Sequence, residues 1–79
     1  MKKLQIDDNV IIEIFKTNVR TADEAHLLVT ELSAHFPLAR FNVDLHDVDR
    51  VLRMQGPSTI REEVMIKARK FGFECRELD

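Results

Sequence analysis

The apolar residues of this chain change their spacing several times within 79 residues, and each change indicates a new element of secondary structure. The run VIIEIFKT, Val10–Thr17, is rich in β-branched residues and apolar at both odd and even positions, which is typical of a central β-strand. Apolar residues then recur every three or four positions up to Pro37, which predicts an amphipathic helix. A chain this short forms one small domain, so these elements must share a single core.

The segment TADE, residues 21–24, predicts where the first helix begins. Thr21 has a hydroxyl that suits the N-cap, and Glu24 lies three residues on, where its carboxylate can accept a free backbone N–H. Together they form the pattern of a capping box. The stripe that this helix should bury consists of Ala25, Leu28, Val29, Leu32 and Phe36.

Two-residue alternation returns after the first helix. Phe41, Val43 and Leu45 alternate with polar residues, and Leu52 and Met54 do so again after the polar turn HDVD, which predicts a hairpin of two strands. The segment GPSTIREE then predicts a turn and a second helix capped by Ser58 or Thr59. Gly72 should end that helix, and Phe73 and Cys75 should begin a short final strand. The stripe buried by the second helix consists of Ile60, Val64, Met65, Ala68 and Phe71.

The predicted order is therefore βαββαβ. Right-handed crossovers place both helices on the same side of a sheet, so the sequence predicts an α+β fold, a ferredoxin-like sandwich. It has a four-stranded antiparallel sheet with two helices on one face. We expect one domain over residues 1–79, in which residues 1–8 form a loosely ordered N-terminal segment.

Charge and cysteine content narrow the class of function. With 12 basic and 14 acidic residues the net charge is −2, which predicts no general attraction to nucleic acid or to anionic membranes. One cysteine cannot form an internal disulfide, and no apolar run approaches the roughly 20 residues that cross a bilayer. A deep catalytic cleft is not expected in a domain this small. We therefore expect a cytoplasmic, non-enzymatic protein without a cofactor, a nucleic-acid partner or a membrane partner.

Residues 10 to 78 resemble the heavy-metal-associated domain family, whose members carry copper and similar ions. The resemblance rests on the turn FPLA, residues 36–39, on the strand motif formed by Phe41, Val43, Asp44 and Leu45, and on KFGF, residues 70–73. It implies a ferredoxin-like fold and a C-x-x-C metal site between the first strand and the first helix. In this chain the two positions are Thr21 and Glu24, which are not thiols, so the resemblance implies the architecture without the soft-metal site.

Two other sites are weighed as alternatives. The turn DLHDVD gathers Asp44, His46, Asp47 and Asp49, whose oxygen and imidazole groups are candidate metal ligands, although the glycine and closing glutamate of a calcium loop are missing. Arg20 and Asn42 resemble the arginine and asparagine with which acylphosphatases hold a phosphoryl group, but no glycine-rich cradle precedes Arg20. Metal binding through non-thiol ligands is thus the second hypothesis, and phosphoryl handling is the third.

The first hypothesis is an interaction surface on the sheet face that the helices leave uncovered. If Ile12 and Ile14 point toward the helices, the opposite face carries Ile11, Phe15, Val51 and Arg53. An apolar patch rimmed by polar groups is typical of a contact surface. The sequence therefore predicts a binding module, with a protein partner or a second copy of the chain on this face.

Overall fold

The computed structural model describes residues 3–5 and 10–78. In chain order its elements are β1 (Lys3–Gln5), β2 (Val10–Thr17), α1 (Ala22–His35), β3 (Arg40–Asp44), β4 (Val51–Pro57), a 3₁₀ turn (Ser58–Ile60), α2 (Arg61–Lys70) and β5 (Cys75–Glu77). Strand β2 has the bounds predicted from the sequence. No strand was predicted at Lys3–Gln5, whereas residues 1, 2 and 6–8 of the predicted N-terminal segment lie outside the described residues.

Strand β2 is the centre of the sheet. It pairs with β4 on one side, β4 pairs in turn with β3, and every pairing is antiparallel. The other side of β2 is shared by two short strands, because β1 pairs with residues 11–13 and β5 with residues 15–17. The prediction of an α+β fold, with an antiparallel sheet and two helices, is confirmed.

The side chains of β2 alternate in burial along the strand. Its odd-numbered residues are buried, and its even-numbered residues are half-buried. Phe15 belongs to one core cluster with Leu28 and Leu32 of α1 and with Val64 and Ala68 of α2. Both helices therefore pack on the sheet face to which the odd-numbered residues point, and the opposite face, called the open face below, carries the even-numbered ones.

The predicted orientation of β2 is wrong. Ile11 and Phe15, assigned above to the uncovered face, are 5% and 0% exposed and lie on the helix side. Phe15 is paired with Leu52, and directly opposite residues in a sheet point to the same face. Because Leu52 is a core residue, Phe15 must be one as well.

The N-terminus of α1 is capped largely as predicted. Thr21 is the N-cap, and its hydroxyl oxygen accepts the backbone N–H of Glu24 at 3.1 Å. The carboxylate of Glu24 accepts the backbone N–H of Arg20, one residue before the expected donor. The predicted cap of the second helix is wrong, since Ser58 and Thr59 lie in the 3₁₀ turn and α2 begins without a side-chain cap.

The two glycines have different roles. Gly72 has φ of +96°, a left-handed conformation that favours glycine, and it ends α2 as predicted. Gly56 was assigned to a turn, but it lies within β4, where the strand passes close to Ala39. A Cβ atom at position 56 would be 2.8 Å from the Ala39 Cβ, so only glycine allows this close approach.

Candidate functional site

A cavity of about 390 Å³ lies at the corner between β2 and α1. It is formed by three loops at one end of the sheet, namely the β2–α1 loop, the β3–β4 hairpin turn and the α2–β5 loop. The lining residues include Asn18, Arg20, Glu24, Val48, Arg50 and Phe73. This corner is the place where the family resemblance implies a metal site.

The polar side chains of this corner are largely engaged with one another. The Glu24 carboxylate accepts the Arg20 backbone N–H at 2.8 Å and the Arg20 Nη2 at 3.0 Å, and these hydrogen bonds hold the pKa of Glu24 below its usual value. The same carboxylate raises the pKa of Arg20. Because the Thr21 hydroxyl is also occupied as the helix cap, the two residues at the family's ligand positions stabilise a bend.

The turn between β3 and β4 uses its carboxylates to hold the backbone. Asp44 accepts the N–H of His46 at 2.9 Å, and Asp47 accepts the N–H of Asp49 at 2.8 Å, the pattern of two Asx turns. Asp49 also pairs with Lys16 at 3.6 Å. Within residues 3–5 and 10–78, no three His, Cys, Asp or Glu side chains are grouped in a way that could hold a metal ion.

The two residues of the phosphoryl hypothesis are not brought into one cavity. Arg20 lines the corner cavity, where Glu24 holds its guanidinium group. Asn42 lies in β3 opposite Arg53, on the open face, and does not line that cavity.

Cys75, the one cysteine of the chain, is buried in the structure. Its side chain belongs to the core cluster and is 3% exposed, and this burial raises the pKa of the thiol to about 12. At neutral pH the group is therefore a protonated thiol without access to reagents.

We expect a thiol reagent such as Ellman's reagent to label native Cys75 at least about 100-fold more slowly than the urea-unfolded chain, because labelling requires opening of the core. The absorbance of the thiolate released by the reagent, followed over time, gives the labelling rate. A chain that also carries Ser33→Cys, at an exposed position of α1, serves as the control and should show one rapidly reacting thiol. Rapid labelling of the native wild-type chain would contradict the burial of Cys75.

The open face has an apolar centre and a cationic rim. Its centre consists of Val10, Ile12, Ile14, Pro57 and Leu78, which are all half-buried. Its exposed arginines are Arg40 of β3, Arg53 of β4 and Arg76 of β5. These residues lie on or directly beside β2, β3, β4 and β5, which are neighbours in the sheet, so they form one continuous surface.

Of the four residues predicted for this surface, only Arg53 is exposed on it. Val51 shares its side of β4 but is 6% exposed, and Ile11 and Phe15 are in the core. Sequence analysis missed Ile12, Ile14 and Arg40. The pairing of β2 with β4 is the feature that would have identified Ile12 and Ile14. When Phe15 is placed opposite Leu52, a core residue, the alternate residues Ile12 and Ile14 point to the open face.

The fold and this surface define a small α+β domain with one sheet face that neither described helix covers. No protein-family model matches the chain, and neither the curated proteins nor the solved structures contain a significant match to it. No helix in the described ranges is both long and apolar enough to span a bilayer.

Proposed function

We propose that this protein is a non-enzymatic interaction module of ferredoxin-like architecture, similar to heavy-metal-associated domains but without their thiol pair, and that it binds a protein partner through the open face. The strand order β5-β2-β4-β3 and the two helices on one side support the architecture. The function is proposed on the surface, because fold alone does not define activity.

One observation carries the proposal. The central strand β2 leaves Ile12 and Ile14 only half-buried, although the same strand buries its opposite side against both helices. Aliphatic side chains at the centre of an exposed sheet, with a polar rim, have the composition of an interface core. Burying the remaining exposed parts of the isoleucines against a partner would contribute favourably, at about 25 cal/mol per Å² of apolar area.

Site-specific photo-crosslinking tests this function in cells that produce the protein. A benzophenone amino acid is introduced at Asn42, which is exposed on the open face, or at Ser33, which is exposed on α1 as the matched control. We expect one discrete adduct from position 42 and none from position 33. Its mass distinguishes a second copy of the chain from a different protein.

The variant Ile14→Asp should remove the adduct while the protein stays folded, because position 14 lies outside the core cluster. Circular dichroism checks the fold. Equal adducts from positions 33 and 42, or an adduct from position 42 that survives Ile14→Asp, would contradict a role for the open face.

A further inference from the structure

The three arginines of the open face, Arg40, Arg53 and Arg76, form no ion pair with any other residue that the structure describes. Arginines elsewhere differ, since Arg20 pairs with Glu24 and Arg61 with three glutamates. Within the described residues, three guanidinium groups on one face thus have no carboxylate partner, although the net charge of the chain is −2.

The sheet also places cations beside one another in two pairs. Lys16 of β2 is directly opposite Arg76 of β5. Arg40 is opposite Gln55 and Arg53 is opposite Asn42, so the two arginines are diagonal neighbours, about 7 to 8 Å apart at the backbone. Like charges directly opposite each other, as Lys16 and Arg76 are, destabilise a sheet. A partner that supplies negative charge would offset this repulsion, so the arrangement favours an acidic ligand.

Among the described residues, the negative groups near this surface lie at one end of it. Asp44 ends β3, Glu74 directly precedes β5, and Asp49 pairs with Lys16. These residues belong to the end of the sheet that carries the corner loops. Arg40 lies in the row of Ile12, away from those carboxylates, whereas Arg53, in the row of Ile14, is a diagonal neighbour of Asp44.

The chemistry of the face distinguishes among acidic ligands. The chain has five phenylalanines and no tryptophan or tyrosine. Phe15 lies in the core, and the other four, at positions 36, 41, 71 and 73, pack against it. No aromatic ring therefore lies on the open face to stack a nucleic-acid base, whereas isoleucines suit aliphatic side chains and guanidinium groups suit carboxylates.

A second copy of the chain suits this surface poorly. Packing two open faces together would bring Arg53 of each copy, near the centre of the surface, into the same interface. Like charges across an interface cost free energy and suppress association. The charge of the face therefore favours a different, acidic protein over self-association.

We propose that the partner of the open face is an acidic polypeptide segment whose aliphatic side chains cover Ile12 and Ile14 and whose carboxylates pair with Arg40, Arg53 and Arg76. This inference rests on the proposed function and adds the chemical class of the partner. The aliphatic contacts supply most of the affinity, and the ion pairs set orientation and selectivity.

Fluorescence anisotropy with defined probes tests the partner class. The probes are a labelled peptide in which glutamate alternates with leucine, the same peptide with lysine in place of glutamate, and single-stranded polyuridylate. We expect the glutamate peptide to bind at least about tenfold more tightly than the lysine peptide, and more weakly as salt rises, because screening acts on exposed charges. Tighter binding of polyuridylate or of the lysine peptide would overturn the proposal.

Charge-reversal variants locate the contact. Arg53→Glu and Arg40→Glu should each weaken binding of the glutamate peptide by about tenfold, because attraction becomes repulsion. Lys70→Glu, at an exposed position near the end of α2, makes the same change in net charge and should alter binding less than about twofold at moderate salt. Equal losses in all three variants would show non-specific charge attraction and overturn the site.

The same variants separate this inference from the proposed function. If Ile14→Asp abolishes the crosslink from position 42 but Arg53→Glu and Arg40→Glu leave it unchanged, the open face binds a partner that is not acidic. If position 42 gives no crosslink and the glutamate peptide does not bind, both proposals fail. Sedimentation of the purified chain measures whether it forms a dimer. A dimer that dissociates in the Ile14→Asp variant would show that the open face binds a second copy of the chain, and this would overturn the acidic partner.

Discussion

Replacing Phe15 by alanine is expected to lower the free energy of unfolding by about 3 to 5 kcal/mol, the cost of deleting a large aromatic side chain from a packed core. Phe15 is fully buried in the cluster that joins the sheet to both helices. A domain of 79 residues has a total stability on the order of 4 to 12 kcal/mol, so the variant should be at or near the limit of folding. Urea denaturation followed by circular dichroism measures the change.

The neighbouring residue provides the matched control. Ile14 is half-buried on the open face, and Ile14→Ala should cost no more than about 1.5 kcal/mol, roughly half of the value for a fully buried side chain. Labelling of Cys75 gives a second readout, because this thiol lies in the same cluster as Phe15. A larger loss from Ile14→Ala than from Phe15→Ala would mean that β2 has the opposite orientation.

The second large effect is expected at Arg61, the first residue of α2. Its guanidinium group pairs with Glu77 at 2.7 Å and with Glu13 at 3.7 Å. Glu13 is 1% exposed and faces the helices from the central strand. Burying its carboxylate away from water costs free energy, which nearby positive charge such as that of Arg61 offsets. Arg61→Leu should lower the free energy of unfolding by about 2 kcal/mol, less than for a fully buried pair because Arg61 keeps some contact with solvent.

A double-mutant cycle identifies the cause of that loss. If the cost comes from an undercompensated carboxylate, Glu13→Gln should be much less harmful in the Arg61→Leu background than in the wild-type chain, giving a coupling energy of at least about 0.5 kcal/mol. Lys70→Leu removes an exposed cation from the same helix and should change stability by less than about 0.5 kcal/mol. Additive effects of Glu13→Gln and Arg61→Leu would assign the loss to packing alone.

The local patterns of the sequence predicted the elements well. The bounds of β2 and the cap at Thr21 were found because each depends on residues within a few positions of one another. The start of α2 was misjudged because Gly56 and Pro57, which resemble a turn, continue β4. Their place in the sheet depends on the close approach of Ala39, which no local pattern records.

The sequence predicted that one face of the sheet would be a contact surface, but it did not predict which residues form that surface. The sequence indicated that one side of the sheet would lack helices, and Arg53 was assigned to it correctly. Ile11 and Phe15 were assigned to it wrongly. Strand β2 has apolar residues at both odd and even positions, so its own sequence does not indicate which side is buried. An error of one residue in parity exchanges the two faces completely.

The sequence by itself determined the order of the helices and strands from Val10 onward, the capped bend at the first corner and the absence of a thiol pair, since all three follow from neighbouring residues. Only the tertiary structure decided that Phe15 enters the core and that Ile12 and Ile14 share the open face with three arginines. The physical reason is that the orientation of β2 is set by its pairing with β4, a strand distant in the chain, and by helices that can cover only one of its sides.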